Sequence, residues 1–126
     1  MKLNPDCVRD LLLDVEENTD IHSSVVYAFD TPMEGRLARY SAEELQYHLE
    51  QCNLNGYFVG YKAYVGDEVE VNYLSPEGHA FLANIRSDNV WNRTKAVASQ
   101  IGTWSLDAIS KIAVNVVSEI IKNSLK

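Results

Sequence analysis

The chain has 126 residues, of which 46% are hydrophobic and 23% charged, so one folded domain with its own core is expected and disorder is not. Eighteen Asp and Glu residues against 11 Lys and Arg give a net charge of −7, which argues against a broadly basic, nucleic-acid-binding surface. Two cysteines are too few for a disulfide scaffold, and Asp6, Arg9 and Asp10 interrupt any signal-peptide core, so we expect a cytoplasmic protein without a membrane span.

The first predicted helix runs from Pro5 to about Asn18. Asn4 can cap its N-terminus, and Pro5 suits the first helical position. Its apolar residues recur at helical spacing, at Cys7, Val8, Leu11, Leu12 and Val15. Residues 25–29 then have strand character, and Pro32 to Tyr40 can form a short helix.

A second helix is predicted from Ser41 to Asn53 by a capping box, in which Glu44 follows Ser41 by three residues. Gly56 can end the segment because glycine readily adopts the left-handed conformation. The side chains that share one face of this helix are Leu45, His48, Leu49 and Cys52.

Two strands and three helices are predicted in the rest of the chain. Residues 57–65 and 68–73 favour strands, and Gly66-Asp67 between them favours a tight hairpin. The helices are predicted to start at Ser75-Pro76, to run from Asp88 to about Gln100, and to run from about Trp104 to Asn123.

The order helix, strand, short helix, capped helix, hairpin, helix is that of a winged helix-turn-helix domain. We therefore predict an α+β, mostly helical fold, with a winged helix-turn-helix-like domain at residues 1–86 and a C-terminal helical extension at residues 87–126. In such domains the helix before the hairpin enters the major groove of DNA, and the hairpin is the wing.

Three segments resemble a family of short phage and prophage proteins that is classed as a domain of unknown function. They are MKLNPDCVRDLLLDVEENTD, YSAEELQYHLEQCNLNGYF and LSPEGHAFLANIRSDNVWNRTK. The stretch from Ser41 to Trp91 is also similar to the YjcQ-like winged-helix family. The resemblance implies a winged-helix-like fold and an origin in mobile genetic elements, and it implies no activity. The stretch between His22 and Tyr40 departs from the family pattern.

Catalysis and metal binding have little support in the sequence. His48 and Cys52 are four residues apart on one helix, as two metal ligands can be, but no second Cys or His pair accompanies them. Cys7 lies beside Asp6 and Asp10, which disfavour a reactive thiolate, and the chain has neither a glycine-rich phosphate loop nor a nucleophile elbow. We expect no metal, cofactor or enzymatic activity, and expect His48 and Cys52 at the edge of the core.

The predicted recognition helix carries no Lys or Arg, and the wing is mostly acidic. Both surfaces would repel DNA, whereas they would attract a basic protein cleft. We therefore predict binding to a host or phage protein, with modulation of a host factor or defence system as one form of it. The candidate acidic surface consists of Glu43, Glu44, Tyr47, Glu50, Asp67, Glu68 and Glu70.

Two further interactions are predicted from the remaining charges and apolar residues. The alternative function is a DNA-binding regulator of a mobile element, whose candidate contacts are Arg36, Arg39, Lys62, Arg86, Arg93 and Lys95. The last helix has an apolar stripe that is compatible with a short coiled-coil seam and hence a homodimer, through Leu106, Ile109, Ala113, Val116 and Ile120.

Overall fold

A computed structural model describes residues 1–125 and divides the chain into two compact units, Met1–His79 and a second unit that begins at Ala80. The first unit contains α1 (Pro5–Asn18), β1 (Val25–Ala28), a 3-10 turn (Gly35–Leu37), α2 (Ala42–Leu54), β2 (Phe58–Val59), β3 (Lys62–Tyr64), β4 (Glu68–Val71) and β5 (Tyr73–Leu74). α3 (Pro76–Ile85) crosses the boundary and is followed by α4 (Asp88–Ile101) and α5 (Leu106–Ser124). The predicted α+β, mostly helical, winged-helix-like fold is confirmed.

Short polar side chains cap the helices where the sequence favours them. The side chain of Asn4 accepts a hydrogen bond from the backbone N–H of Asp6 at the start of α1. Ser41 and Glu44 form the full capping box of α2, each accepting a backbone N–H from the other. Ser87 caps α4 and Ser105 caps α5 in the same way. These bonds satisfy N–H groups that have no partner within the helix, and so fix where each helix begins.

The core of the first unit lies between the apolar faces of α1 and α2, which pack on each other. His48 and Cys52 are fully buried in this core, so their predicted position at its edge is wrong. His48 is satisfied there because its Nε2 accepts the N–H of Asn4 at 2.7 Å, while its Nδ1 lies 2.7 Å from the carbonyl oxygen of Glu44. This pair of contacts requires the neutral tautomer with the proton on Nδ1, and it joins the start of α1 to α2.

The strands form two small antiparallel sheets, one in the order β1-β4-β3 and one that pairs β2 with β5. In the three-stranded sheet Tyr27 lies opposite Val69, and both are buried. Residues that alternate with them, such as Val26 and Glu68, lie on the solvent face. The sheet therefore presents one face to the core and one to solvent.

Three predicted features of this unit differ in detail from the structure. The predicted helix over Pro32–Tyr40 is only a three-residue 3-10 turn. The predicted strand over residues 57–65 is divided into β2 and β3, because Gly60 adopts a φ of 71° and a side chain there would collide with Asn72. The wing loop has three residues rather than two, Val65-Gly66-Asp67, and Gly66 turns the chain with a φ of 95°.

In the second unit α4 and α5 pack on each other through apolar side chains. Leu106, Ile109 and Ala113 are buried within the single chain. A homodimer through these three residues would require their side chains to leave this core. Val116 and Ile120 are half-buried, and a homodimer stays a prediction that rests on them. Within residues 1–125, no helix has the length and apolar character needed to cross a membrane.

Candidate functional site

Charge is divided unequally between the two units. Residues 1–79 contain fifteen Asp and Glu against five Lys and Arg, a net charge of −10, whereas the remaining residues contain three against six, a net charge of +3. The overall charge of −7 is thus the difference between an acidic unit and a weakly basic one. Any surface of the first unit that binds a macromolecule does so in a negative field.

The exposed side of α2 provides one part of the predicted acidic surface. Glu43 and Glu50 are exposed and Glu44 is half-buried. Glu44 is used in the capping box, and Glu50 accepts a hydrogen bond from the hydroxyl of Tyr61 at 3.0 Å. Tyr47 is half-buried, with its ring edge-on to that of His48. Much of this surface therefore also stabilises the fold.

The wing provides the other part of the predicted acidic surface. Glu70 accepts hydrogen bonds from the hydroxyls of Ser24 at 2.7 Å and Tyr64 at 2.8 Å, and these two bonds lower its pKa. Lys62 lies directly opposite Glu70 in the sheet register. Asp67 and Glu68 are exposed at and beside the loop. The wing is therefore acidic at its end, and the cation predicted for DNA contact lies opposite a carboxylate-bearing residue in the sheet.

The two arginines that precede α2 are also committed to carboxylates. Arg36 forms a bidentate pair with Glu17 at 2.8 and 2.9 Å, which lowers the pKa of Glu17. Arg39 contacts Asp10 at 2.6 Å, and the hydroxyl of Tyr40 donates to the same oxygen at 2.6 Å. An incoming phosphate would have to replace these ion pairs to contact Arg36 and Arg39, whose role in DNA binding stays a prediction.

The other three cations predicted for DNA contact belong to the second unit. Arg86 and Arg93 are exposed, and the ammonium of Lys95 lies 5.6 Å from the centre of the Trp91 ring. The six predicted contacts are thus divided between two units, and the structure does not gather them in either one.

The two cysteines are unsuited to nucleophilic chemistry. Both side chains are fully buried and unpaired in a disulfide. Burial, followed by the charges of Glu44 and Asp10, raises the pKa of Cys7 to about 12, and burial also raises the pKa of Cys52. Within the described residues, no group of three or more His, Cys, Asp or Glu side chains is arranged to hold a metal ion.

A groove that sequence reasoning missed lies on the first unit. Its main cavity has a volume of about 280 Å³, and an adjoining cavity of about 180 Å³ shares Asp20, Ile21 and Tyr73 with it. The lining comes from the end of α1, the turn that follows and the region of β5, namely Glu16, Thr19, Asp20, Ile21, Tyr73, Leu74 and His79. The lining residues fall into two groups, 16–21 and 73–79, that are more than 50 positions apart along the sequence, and no motif links them.

The fold and these surfaces define a winged-helix-like domain whose first unit is acidic. The chain belongs to the DUF2513 family, described as "Hypothetical protein (DUF2513)", which matches residues 2–105. It is also similar to an uncharacterized protein of Haemophilus influenzae, with 27% identity over 124 residues that cover 96% of this chain and 99% of the relative. No solved structure matches the chain.

Proposed function

We propose that the protein acts by binding another protein through the acidic first unit, and that the contact surface of this partner is positively charged. The observation that carries the proposal is the charge of α2 and the wing. The helix at the recognition position has no basic side chain, and Arg36 and Arg39 before it are already paired with carboxylates. A polyanion would be repelled there, whereas a basic protein surface would be attracted.

The chemistry of the unit supports a non-catalytic role. Its buried thiols have raised pKa values, and its exposed carboxylates lie on solvated surfaces rather than in a closed pocket. The resemblance to phage and prophage proteins supports a host or phage protein as the partner. A host nucleic-acid-binding cleft, whose basic residues normally face phosphates, is the kind of surface that this charge pattern complements.

The alternative proposal is a DNA-binding regulator of a mobile element. It is favoured by one observation, the net charge of +3 after residue 79, with Arg86 and Arg93 exposed. A regulator of this kind would have to contact DNA through α4 rather than through α2 and the wing. Its affinity would be modest, because few phosphates could be neutralised.

Crosslinking in a bacterial host followed by mass spectrometry tests the first proposal. We expect a specific basic protein to be crosslinked by the wild type and lost in the charge-reversal variant Glu43→Lys/Glu68→Lys. The matched control is Glu119→Lys, an exposed substitution in the second unit, which should retain the partner. If the wild type and the double variant capture the partner equally, the acidic surface of α2 and the wing is not the binding surface.

Fluorescence anisotropy with duplex DNA at low salt tests the alternative. We expect no binding by the wild type. Binding that is abolished by Arg93→Glu and retained by Glu43→Lys would replace protein docking with DNA regulation through α4.

A further inference from the structure

We propose that the groove beside the end of α1 receives one Arg or Lys side chain of the protein partner. We call it the basic-side-chain groove and define it by Glu16, Asp20, Ile21, Tyr73 and Leu74. The inference rests on the proposed function for the source of the side chain, and it adds a second place of contact on the acidic unit, apart from α2 and the wing, and the chemistry that this place recognises.

The turn after α1 builds the mouth of the groove. Asp20 and Ser23 exchange two backbone hydrogen bonds, at 3.0 and 3.2 Å, so that Ile21 and His22 occupy the tip of a tight turn. The side chain of Ile21 is 75% exposed although it is large and apolar. A turn fixed by its own hydrogen bonds can present such a side chain without being ordered on binding, which reduces the entropic cost of a contact.

The walls of the groove suit a long aliphatic stem. Ile21, Tyr73 and Leu74 are the residues with large apolar side-chain surfaces among those that line the main cavity. Arg and Lys carry three or four methylene groups before their charge, and these groups commonly lie along apolar surface while the charged end reaches polar atoms. An Arg or Lys stem would therefore bury part of Ile21 as it enters.

The charges at the groove select a cation. Glu16 and Asp20 both line the main cavity, whereas no Lys or Arg of residues 1–125 lines it. Oδ1 of Asp20 accepts the N–H of His22 at 2.8 Å, and Oδ2 makes no hydrogen bond within residues 1–125. α1 ends at Asn18, so the negative end of its dipole also lies at this edge. His79 adds a ring whose Nδ1 is 4.0 Å from Oε2 of Glu16.

The volume of the groove favours a side chain over a free ligand. Small-molecule sites usually occupy about 300–1,000 Å³ and enclose most of the ligand. The main cavity has about 280 Å³ and the adjoining one about 180 Å³, but both are open to solvent, so the groove can take one side chain and would enclose little of a cofactor. A side chain that arrives on a larger partner also avoids the separate entropic cost of immobilising a free small molecule.

Titration of the 15N-labelled protein, followed by NMR, tests the groove with defined probes. The probe is acetyl-Leu-Arg-Leu-amide, and its isosteric neutral control carries citrulline in place of arginine. We expect saturable chemical-shift changes confined to residues 16–23 and 72–79, and affinity about tenfold lower for the citrulline peptide, since one charge-assisted contact is lost.

Two conservative variants test whether the carboxylates of Asp20 and Glu16 are needed to bind the arginine peptide. Asp20→Asn keeps an oxygen for the N–H of His22, so the turn should persist, and Glu16→Gln keeps the shape of the side chain. Each variant should bind the arginine peptide with about five- to tenfold lower affinity. The matched control, Glu43→Gln on α2, should leave its affinity unchanged.

Three results would overturn the proposal of a basic-side-chain groove. They are equal affinity for the two peptides, chemical-shift changes on α2 or the wing instead of at the groove, and no binding at millimolar concentrations of the peptide. The crosslinking experiment separates this result from the proposed function. If the wild type and Glu16→Gln/Asp20→Asn capture a partner equally, the groove is not the contact site, and the proposal of protein binding still stands. Selective peptide binding without any crosslinked partner would refute protein docking and leave the groove as a cation site.

Discussion

The two units differ in how far their buried polar groups are hydrogen-bonded. In the first unit Asp10 accepts hydrogen bonds from Arg39 and Tyr40, and His48 joins the start of α1 to α2. In the second unit the buried hydroxyl of Thr94 has no hydrogen-bond partner among residues 1–125. The first unit is therefore specified by polar contacts between distant segments, whereas the second depends mainly on apolar packing of two helices.

Aromatic residues allow each unit to be followed by its own signal. All seven tyrosines lie in residues 1–79, and both tryptophans, Trp91 and Trp104, lie in the second unit. Tyrosine absorbance thus reports unfolding of the first unit, and tryptophan fluorescence reports unfolding of the second. The comparison can therefore be tested one unit at a time.

The largest effect is expected for His48→Ala. The substitution leaves a cavity, removes the acceptor of the Asn4 N–H and removes the side-chain donor to the Glu44 carbonyl, which keeps its helical backbone bond. We expect the free energy of unfolding, measured with urea and tyrosine absorbance, to fall by roughly 3–5 kcal/mol. His48→Gln can replace one donor and one acceptor and should lose less than half as much. A loss below about 1 kcal/mol for His48→Ala would contradict this structural role.

A smaller, pH-dependent effect is expected for Tyr27→Phe. The hydroxyl of Tyr27 donates to Asp14 at 2.6 Å, and burial together with this bond raises its pKa above the usual value near 10. The neutral hydroxyl stabilises the folded state below about pH 10, and this contribution is lost as the pH rises further. Tyr27→Phe should cost about 1–2 kcal/mol at pH 7 and less at high pH. Parallel curves of unfolding free energy against pH would contradict the expectation.

Thr94→Val should act in the opposite direction in the second unit. Valine has the shape of threonine and removes a buried hydroxyl that has no partner within the described chain. We expect stability to increase by about 1 kcal/mol, measured by tryptophan fluorescence in urea. Ser99→Ala, at an exposed position of α4, is the control and should change little. A loss of stability in Thr94→Val would mean that the hydroxyl has a role that apolar packing does not explain.

The smallest effect is expected for Glu17→Gln, which weakens the pair with Arg36. The pKa of Glu17 is lowered by the hydrogen bond from Arg36, so the pair stabilises the fold above the unfolded pKa of Glu, near pH 4.3. This contribution is lost as the pH falls through the folded pKa. Because Glu17 is exposed, we expect a difference of only a few tenths of a kcal/mol at pH 7 and none in strong acid. An equal difference at both pH values would exclude the ionic contribution.

Local signals in the sequence were sufficient for most elements of the fold. Asn4-Pro5 and the Ser41–Glu44 pair predicted the starts of α1 and α2, and the structure confirms both. Residues 32–40 could not be predicted in this way, because Arg36 and Arg39 make their contacts with α1, which is 19 to 29 positions away. The pattern of residues shows composition and spacing, whereas these ion pairs depend on tertiary structure.

The candidate site could be predicted from the sequence even less fully than the fold. The acidic character of α2 and the wing could be predicted from composition alone, but the pairing of Lys62 with Glu70 needed the strand register. The groove could not be predicted at all, because Ile21 and Tyr73 meet only after α1 and β5 have packed together. In the sequence, only the large apolar Ile21 between the polar residues Asp20 and His22 draws attention to the turn, and it does not indicate a groove.

The burial of Cys7 and Cys52 makes the native chain suitable for site-specific chemical labelling. Both thiols are inaccessible, and their raised pKa values keep them protonated near neutral pH, so a maleimide reagent should leave them unmodified. A cysteine introduced in place of Ile21 would then be the one reactive thiol on the folded protein. A fluorophore or photocrosslinker attached there would report directly on whatever approaches the turn.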